Sequence, residues 1–317
     1  VPSPASLGEA RRRLPREFIE SIDAAFPQNV AERILRGMGA RRLTTLRVNT
    51  LRCDAPSLMR FFRKNSVKHH RVPWYPDAFV LTKATERDVE AWALYAQGCV
   101  YLQSLSSMIP ALVLDPQAGE RILDIAAAPG SKTTQMAALM RNEGWILANE
   151  ISGVRAERLA YNARLQGCAI VEVKVGQGEK IGDAMPGSFD RVLLDVPCSG
   201  EGRFVVFEPG TSRAWSARTV AECARLQRKL LASGARALKP GGTLVYSTCT
   251  LNLEENERMV QWALAHLPLE PRKVPLAIPG VYAGMARGLD PRVARAIRVF
   301  PDAQREGFFV CRMHKTS

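Results

Sequence analysis

Ile122-Leu123-Asp124-Ile125-Ala126-Ala127-Ala128-Pro129-Gly130-Ser131-Lys132-Thr133 is the stretch that decides the fold. Apolar residues flanking one acid read as a strand buried on both faces. The small residues after it read as a tight turn into a helix that runs to Met140. Small side chains at such a turn let a ligand approach the backbone closely. The turn is not a Walker A loop, because Ser131 stands where a Gly must precede Lys. It is not G-x-G-x-x-G either. Taken alone, it fits a cofactor loop and an ordinary βα turn equally well.

The pattern repeats toward the C-terminus. Apolar strands are expected at 145–149, 170–175, 191–196 and 244–247. Helices are expected at 152–165, at 217–238 (ending at Lys239-Pro240-Gly241-Gly242) and at 253–266. This alternation predicts an α/β fold, a mostly parallel sheet with helices on both faces. Residues 307–313 read as a last strand, paired with 297–300 as an antiparallel edge. Toward the N-terminus the pattern differs. Residues 1–13 look like a loose basic lead. Phe18, Ile22, Phe26, Val30 and Ile34 mark a helical stretch over 16–38 that Pro27 splits. Strands at 46–49, 67–72 and 79–81 and a helix at 56–64 complete a small α+β module. The expected division is a helical plus α+β module over 1–97 and a catalytic domain over 98–317.

Composition narrows the partners. Of 317 residues, 44 are Lys or Arg and 31 are Asp or Glu, a net charge of +13. Residues 1–75 hold 15 basic and 6 acidic residues, so most of the excess lies in the first module. Such a basic part joined to a nearly neutral one predicts a polyanion partner, RNA above all. Arg11–Arg13, Arg41-Arg42 and 60–68 are candidate phosphate contacts. Trp74 and Tyr75 suit either base stacking or a packed loop; His69 and His70 read as solvated strand surface. A hydrophobic share of 46% excludes wholesale disorder. The seven cysteines (53, 99, 168, 198, 223, 249 and 311) form no C-x-x-C pair, and the four histidines complete no zinc spacing. No metal is expected, and the scattered thiols fit a reducing compartment, the cytoplasm. Val1-Pro2-Ser3-Pro4 has neither an initiator Met nor an apolar run and reads as a trimmed start, not a signal peptide. The longest apolar stretch, 98–114, is broken by Gln103, three serines and Pro110, which excludes a bilayer span.

In an open α/β sheet, ligands lie beyond the carboxyl ends of the strands. Four segments fall there. The first is the Ala-Pro-Gly turn. The second is Glu150, placed either to take ribose hydroxyls or to charge a helix N-terminus. The third, Asp195-Val196-Pro197-Cys198-Ser199-Gly200-Glu201-Gly202, puts a thiol in a loop, although most free cysteines are structural. The fourth, Tyr246-Ser247-Thr248-Cys249-Thr250, puts a second thiol at the end of the fifth strand. Fourth and fifth strands are neighbours in a doubly wound sheet, so Cys198 and Cys249 are expected to face one cleft.

These four segments, with Leu251-Asn252-Leu253-Glu254-Glu255-Asn256-Glu257 following the last, resemble the RNA (cytosine-5) methyltransferases of the RsmB/NOP type, nearest the RsmF-like branch acting on small-subunit ribosomal RNA. The resemblance spans residues 40–317. It implies a Rossmann-like S-adenosylmethionine-dependent methyltransferase fold. By similarity, Ala126, Ala127, Ala128, Pro129, Gly130, Ser131 and Lys132 wrap the methionine part of the cofactor, Glu150 takes the ribose, and Asp195 lies beside cofactor and target base. Gln177 stands where the family usually has an Asp near the adenine, with Glu179 as its substitute. After Gly202 the family often has a basic stretch, whereas this chain reads Arg203-Phe204-Val205-Val206-Phe207-Glu208-Pro209, a change expected to alter RNA docking or loop order. RsmF-like enzymes often carry a further C-terminal RNA-binding domain, which leaves either a trimmed chain or a larger binding role for the basic module.

The chemistry implied needs a thiolate. Carbon 5 of cytosine is a poor nucleophile until a thiolate adds at carbon 6. An unperturbed thiol, pKa near 8.5, is only roughly a few per cent ionised at pH 7. An electropositive pocket around Lys132 would raise that fraction, and Asp195 would support ring nitrogen 3 where it holds a proton. The RNA family uses the Thr-Cys thiol, here Cys249, to attack, and the Pro-Cys thiol, here Cys198, to help release product. DNA cytosine methyltransferases attack with the Pro-Cys thiol instead. The expected enzyme is a monomer acting on ribosomal RNA. Transfer RNA or another RNA is the alternative substrate, and a non-catalytic RNA-binding assembly factor the alternative class. A small-molecule methyltransferase is disfavoured by the basic first module.

Overall fold

The computed structural model describes residues 5–316. The trimmed start read at Val1-Pro2-Ser3-Pro4 lies outside them. The first seven elements follow the chain as α1 (Leu7–Arg13), α2 (Arg16–Ala25), α3 (Gln28–Met38), β1 (Thr44–Val48), α4 (Ala55–Lys64), β2 (His69–Val72) and β3 (Tyr75–Leu81). Two short helices, α5 (Glu86–Glu90) and α6 (Ala93–Ala96), lead to β4 (Val100–Leu102). Pro27 splits the first helical stretch as expected. The basic lead is not loose. Ser6 caps α1, Ala10 is fully buried, and Arg11 makes two bonds to Asp23. The apolar face of α1 packs on α2 and α3, and local charge content hides that contact.

Strands β2-β3-β1-β4 form an antiparallel sheet in that order. β4 pairs with β1 through Leu46 and Leu102, so this sheet ends beyond the division drawn at 97. Tyr75 is buried, as the packed-loop reading expects, and Trp74 is half-buried against the same cluster. His69 lies against the rings of Phe62 and Phe79 rather than in solvent.

The second part begins with α7 (Leu105–Leu114), whose Pro110 is accommodated inside the helix. It continues through β5 (Arg121–Asp124), α8 (Ser131–Leu139), β6 (Trp145–Glu150), α9 (Gly153–Leu165), β7 (Val171–Val175), α10 (Ile181–Ala184), β8 (Phe189–Asp195), α11 (Ala217–Ala237) and β9 (Leu238–Thr248). The remaining elements are α12 (Glu257–His266), β10 (Leu269–Arg272), β11 (Val281–Ala283), β12 (Ile297–Val299) and β13 (Phe308–Lys315). The sheet order is β11-β12-β13-β9-β8-β5-β6-β7, with β10 also on β13. β5 to β9 run parallel, while β13 is antiparallel to both β9 and β12. This is the expected α/β architecture of a Rossmann-like sheet, and its strand order reverses between β5 and β8.

Two boundaries differ from expectation. The Lys239-Pro240-Gly241-Gly242 segment lies inside β9, where it bulges so that Phe189 pairs with Leu238 but Arg191 with Thr243. α12 starts at Glu257, not at 253, because the polar side chains before it are consumed elsewhere. Asn256 donates to the Thr250 carbonyl at 3.0 Å and accepts from Thr248 at 2.6 Å. Such local side-chain bonds compete with helix formation.

The two parts share their packing. Arg47 of β1 is fully buried and donates to Gln103 at 2.8 Å and to Thr134 of α8 at 2.7 Å. The segment after Gly202, where the family pattern is broken, supplies Phe204 and Val206 to the core of α1–α3. Phe204 meets Phe18 edge-on at 4.9 Å, and the Val206 N–H bonds the Met38 carbonyl at 3.0 Å. The apolar residues therefore order this loop by docking it on the N-terminal helices. Removing the buried ring should cost about 3–5 kcal/mol. Phe204→Ala is expected to lower the urea midpoint accordingly and to expose the loop after Gly202 to limited proteolysis.

Candidate active site

The strand ends of β5, β6, β8 and β9 open on one cavity of about 550 Å³. Its wall includes Asp124, Ala126, Ala127, Ala128, Pro129, Ser131, Lys132, Glu150, Asp195, Cys198 and Cys249. Sequence reasoning placed all of these at the sheet's carboxyl edge, and they do converge. Gly130 does not line the cavity. It makes the turn instead, with φ +104°, and a Cβ there would meet Leu159 at 2.8 Å. Gly130 is the N-cap of α8, and no side chain caps this helix start. Asn149 clasps the loop from β6, donating to the carbonyls of Ile125 at 3.0 Å and Gly176 at 3.1 Å.

Two buried carboxylates border this end. One oxygen of Glu150 accepts from the Ser152 N–H at 3.1 Å and from Arg155 at 3.3 Å; the other has no partner. The first oxygen meets the helix-charge role expected of Glu150, and the second is left unpaired beside the cavity. Asp124 accepts from Thr133 through Oδ2 at 2.7 Å, and its Oδ1 is unpaired. Buried acceptors without donors call for a ligand bringing hydroxyl or ammonium groups. Gln177 is exposed and does not line the cavity; Gly178 and Glu179 do. Gln177 is thus not placed for the adenine-side contact expected of it.

At the other end, Asp195 accepts from Lys132 Nζ at 2.6 Å and from Ser247 Oγ at 2.8 Å. Its two oxygens are thus each engaged by a donor. Lys132 also donates to Ser107 at 2.8 Å and stands over the Phe308 ring. The Lys132 charge is thus held mainly on Asp195, beside the thiols rather than on them.

The sulfurs of Cys198 and Cys249 lie 3.3 Å apart. The hydrogen bond between them, with burial, pushes the Cys198 thiol well up, so it remains protonated and can donate to Cys249. Glu255 fixes both thiol-bearing loops. It accepts from the Ser199 N–H at 3.0 Å and from Gln227 at 2.8 Å, while Gln227 also holds the Pro197 carbonyl at 2.8 Å. Ser199 bonds Thr250 next to Cys249 at 2.7 Å. Burial raises the Glu255 carboxyl to about 7. Glu255, Gln227 and Ser107 were not singled out from sequence. Glu255 lay within the quoted motif but read as the start of a helix, and Ser107 read only as a break in an apolar stretch.

Similarity to known proteins covers the same regions. A family model for the 16S rRNA methyltransferase RsmB/F matches residues 111–314, and one for the N-terminal domain of 16S rRNA methyltransferase RsmF matches residues 14–105. Ribosomal RNA small subunit methyltransferase F of Cronobacter sakazakii is 39% identical over 312 residues, covering 96% of this chain and 64% of that protein. Its counterpart in Klebsiella pneumoniae is 39% identical over 313 residues, with the same coverage. The chain thus spans 64% of the length of these curated relatives. Among solved structures, a methyltransferase homolog protein from Pyrococcus horikoshii superposes with a TM-score of 0.85 at 32% identity, covering 99% of this chain and 100% of the other. NSun6 from the same organism shares the fold, with a TM-score of 0.83 at 22% identity over 97% of this chain and 100% of that one. No helix among the described residues is long and apolar enough to cross a membrane.

The site makes a prediction about acidity. Burial raises the Asp124 carboxyl to about 7. An unfolded chain loses that proton near pH 4, so between about pH 4 and 7 the folded state binds more protons and its stability falls as the pH rises. Asp124→Asn removes this contribution. The ligand-free variant is expected to melt well above the parent protein at pH 8, by a margin that shrinks steadily toward pH 4.5. A difference that stays constant across that range would remove burial as the cause.

Proposed function

Because the chain belongs to the 16S rRNA methyltransferase RsmB/F family, we propose that it methylates carbon 5 of a cytosine in small-subunit ribosomal RNA, acting as a cytoplasmic monomer with S-adenosylmethionine as methyl donor. The observation that carries this reading is the pair of sulfurs 3.3 Å apart in a cavity shared with the Lys132–Asp195 ion pair. A scaffold that only bound RNA would need neither thiol.

The cofactor fits the cavity by its donors. The unpaired Glu150 oxygen suits ribose hydroxyls, the unpaired Asp124 oxygen suits an amino group, and the loop from Ala126 to Lys132 offers close backbone approach. When bound, the cofactor supplies an electrophilic methyl group on a sulfonium. The protein's part is to make carbon 5 nucleophilic. Cys249, as thiolate, adds to carbon 6 of the cytosine, and the electron pair of the 5,6 double bond becomes available at carbon 5. Carbon 5 would then be the nucleophile toward the methyl group that a cofactor held by the loop from Ala126 to Lys132 and by Glu150 would supply. A base then removes the carbon 5 proton, the bond from carbon 6 to sulfur breaks, and its electron pair returns to Cys249. Lys132 supplies a positive charge near the ring nitrogen and carbonyl as negative charge develops there, and the Asp195 carboxylate is an acceptor for the exocyclic amine. A target base in a duplex must first leave its stack to enter.

Cys198 is suited to the release step. It holds its proton, and it lies within hydrogen-bonding distance of the attacking sulfur. Cys249→Ala is therefore expected to reduce transfer of labelled methyl groups to a small-subunit ribosomal RNA transcript to background. Cys198→Ala should leave a protein–RNA adduct that survives a denaturing gel. The opposite pattern would make Cys198 the nucleophile. Bisulfite sequencing of the RNA identifies the modified position, and methylation confined to transfer RNA would overturn the ribosomal assignment.

A further inference from the structure

Three segments meet at the mouth of the cavity: the turn before β1, the loop after Cys198 and the loop before β13. They bring together Arg42, Arg203 and Glu306. Arg42 Nη1 lies 3.2 Å from Glu306 Oε1, and Arg203 Nε lies 4.0 Å from the same oxygen. Ser104, the cap of α7, donates to the other Glu306 oxygen at 3.2 Å. Arg42 also donates to the Gly202 carbonyl at 2.9 Å, and the Gly202 N–H donates to the Cys249 carbonyl at 2.9 Å. The mouth is therefore tied to the thiol strand through a single residue. The Gly202 and Gly307 backbones touch here, and a Cβ on Gly202 would come within 2.0 Å of the Gly307 carbonyl oxygen.

Two guanidinium groups share one carboxylate, and Arg203, 65% exposed, is held only at the limit of ion-pair distance. An exposed pair of that kind contributes little stability. Guanidinium groups suit a phosphate better, through paired N–H donors in a plane. Arg203, Glu306 and Ser104 line the same cavity as Cys198 and Cys249. A nucleotide whose base enters that cavity must leave its backbone at the mouth.

We infer that Arg42 and Arg203 form a binding site for a phosphodiester of the substrate RNA next to the target nucleotide, with Glu306 as an internal anion that the phosphate replaces. This rests on the reading of the chain as an RNA methyltransferase. Glu306 competes with RNA for the two guanidinium groups, so removing its charge improves binding, the reverse of what loss of an ordinary substrate contact does.

The test is equilibrium binding of a fluorescent, cytosine-containing single-stranded RNA oligonucleotide across a salt titration, beside the same sequence with neutral methylphosphonate linkages. Arg42 stays in place because it supports Gly202. Arg203→Gln is expected to weaken binding of the phosphodiester strand about tenfold at low salt. It should also reduce the slope of log affinity against log salt by about 0.7. Binding of the methylphosphonate strand should be the same in variant and parent. Glu306→Gln should tighten binding of the phosphodiester strand several-fold. An Arg203→Gln variant with parental affinity and slope, or a Glu306→Gln variant that binds more weakly, overturns the inference alone. A parent protein that binds neither strand overturns the RNA-methyltransferase reading with it.

Discussion

Two neighbouring parallel strands end on thiol-bearing loops, and one buried carboxylate, Glu255, ties those loops together. Parallel pairing of β8 with β9 fixes the distance between the strand ends, since Asp195 lies opposite Ser247. The next few residues of each strand leave the sheet, and without a tether their sulfurs would be free to separate. Glu255 holds the Ser199 backbone and, through Gln227, the Pro197 carbonyl, while Tyr246 donates to the Glu255 backbone carbonyl at 2.6 Å. Cys198 lies between two anchored residues and faces Cys249. The cofactor loop, the ion pair of Lys132 with Asp195 and the cavity mouth are arranged around that point.

The sheet and the cleft were legible because they depend on local signals. Apolar runs alternating with helical periodicity give the strand order, and strand order alone predicts that residues after β8 and β9 share an edge. The three acids that border the cavity were legible for the same reason, as Asp124, Glu150 and Asp195 all terminate strands. What the sequence did not reveal depends on partners far along the chain. Asn256 fails to continue a helix because its side chain is taken by Thr248 and Thr250. Ser107 matters because Lys132, 25 residues later, reaches it. Arg47 looks like a surface charge on a basic module, yet it is buried against α8. Gln177 aligned with a family position but lies outside the cavity, and no local pattern distinguishes it from Glu179.

The segment after Gly202 shows how a departure from a family pattern acquires a physical meaning. Losing basic residues there looks like a loss of RNA contacts. The structure shows a gain of packing, with Phe204 and Val206 buried against α1–α3. The same docking places Arg203 beside Glu306 and Arg42. The N-terminal helices thus contribute to the mouth of the cavity indirectly, by fixing a loop that begins at the paired thiols.

The central claim is that Cys249 bonds to carbon 6 of the base while Cys198 stays a thiol. RNA carrying 5-fluorocytosine tests it directly, because fluorine at carbon 5 cannot leave as a proton does and the adduct persists after methyl transfer. Incubating the protein with such RNA and S-adenosylmethionine, then digesting both, gives a modified peptide whose site is read by mass spectrometry. The account predicts a methylated fluorocytosine on the peptide containing Cys249. The same mass on the peptide containing Cys198, or no covalent adduct with an RNA that the protein otherwise methylates, would contradict it.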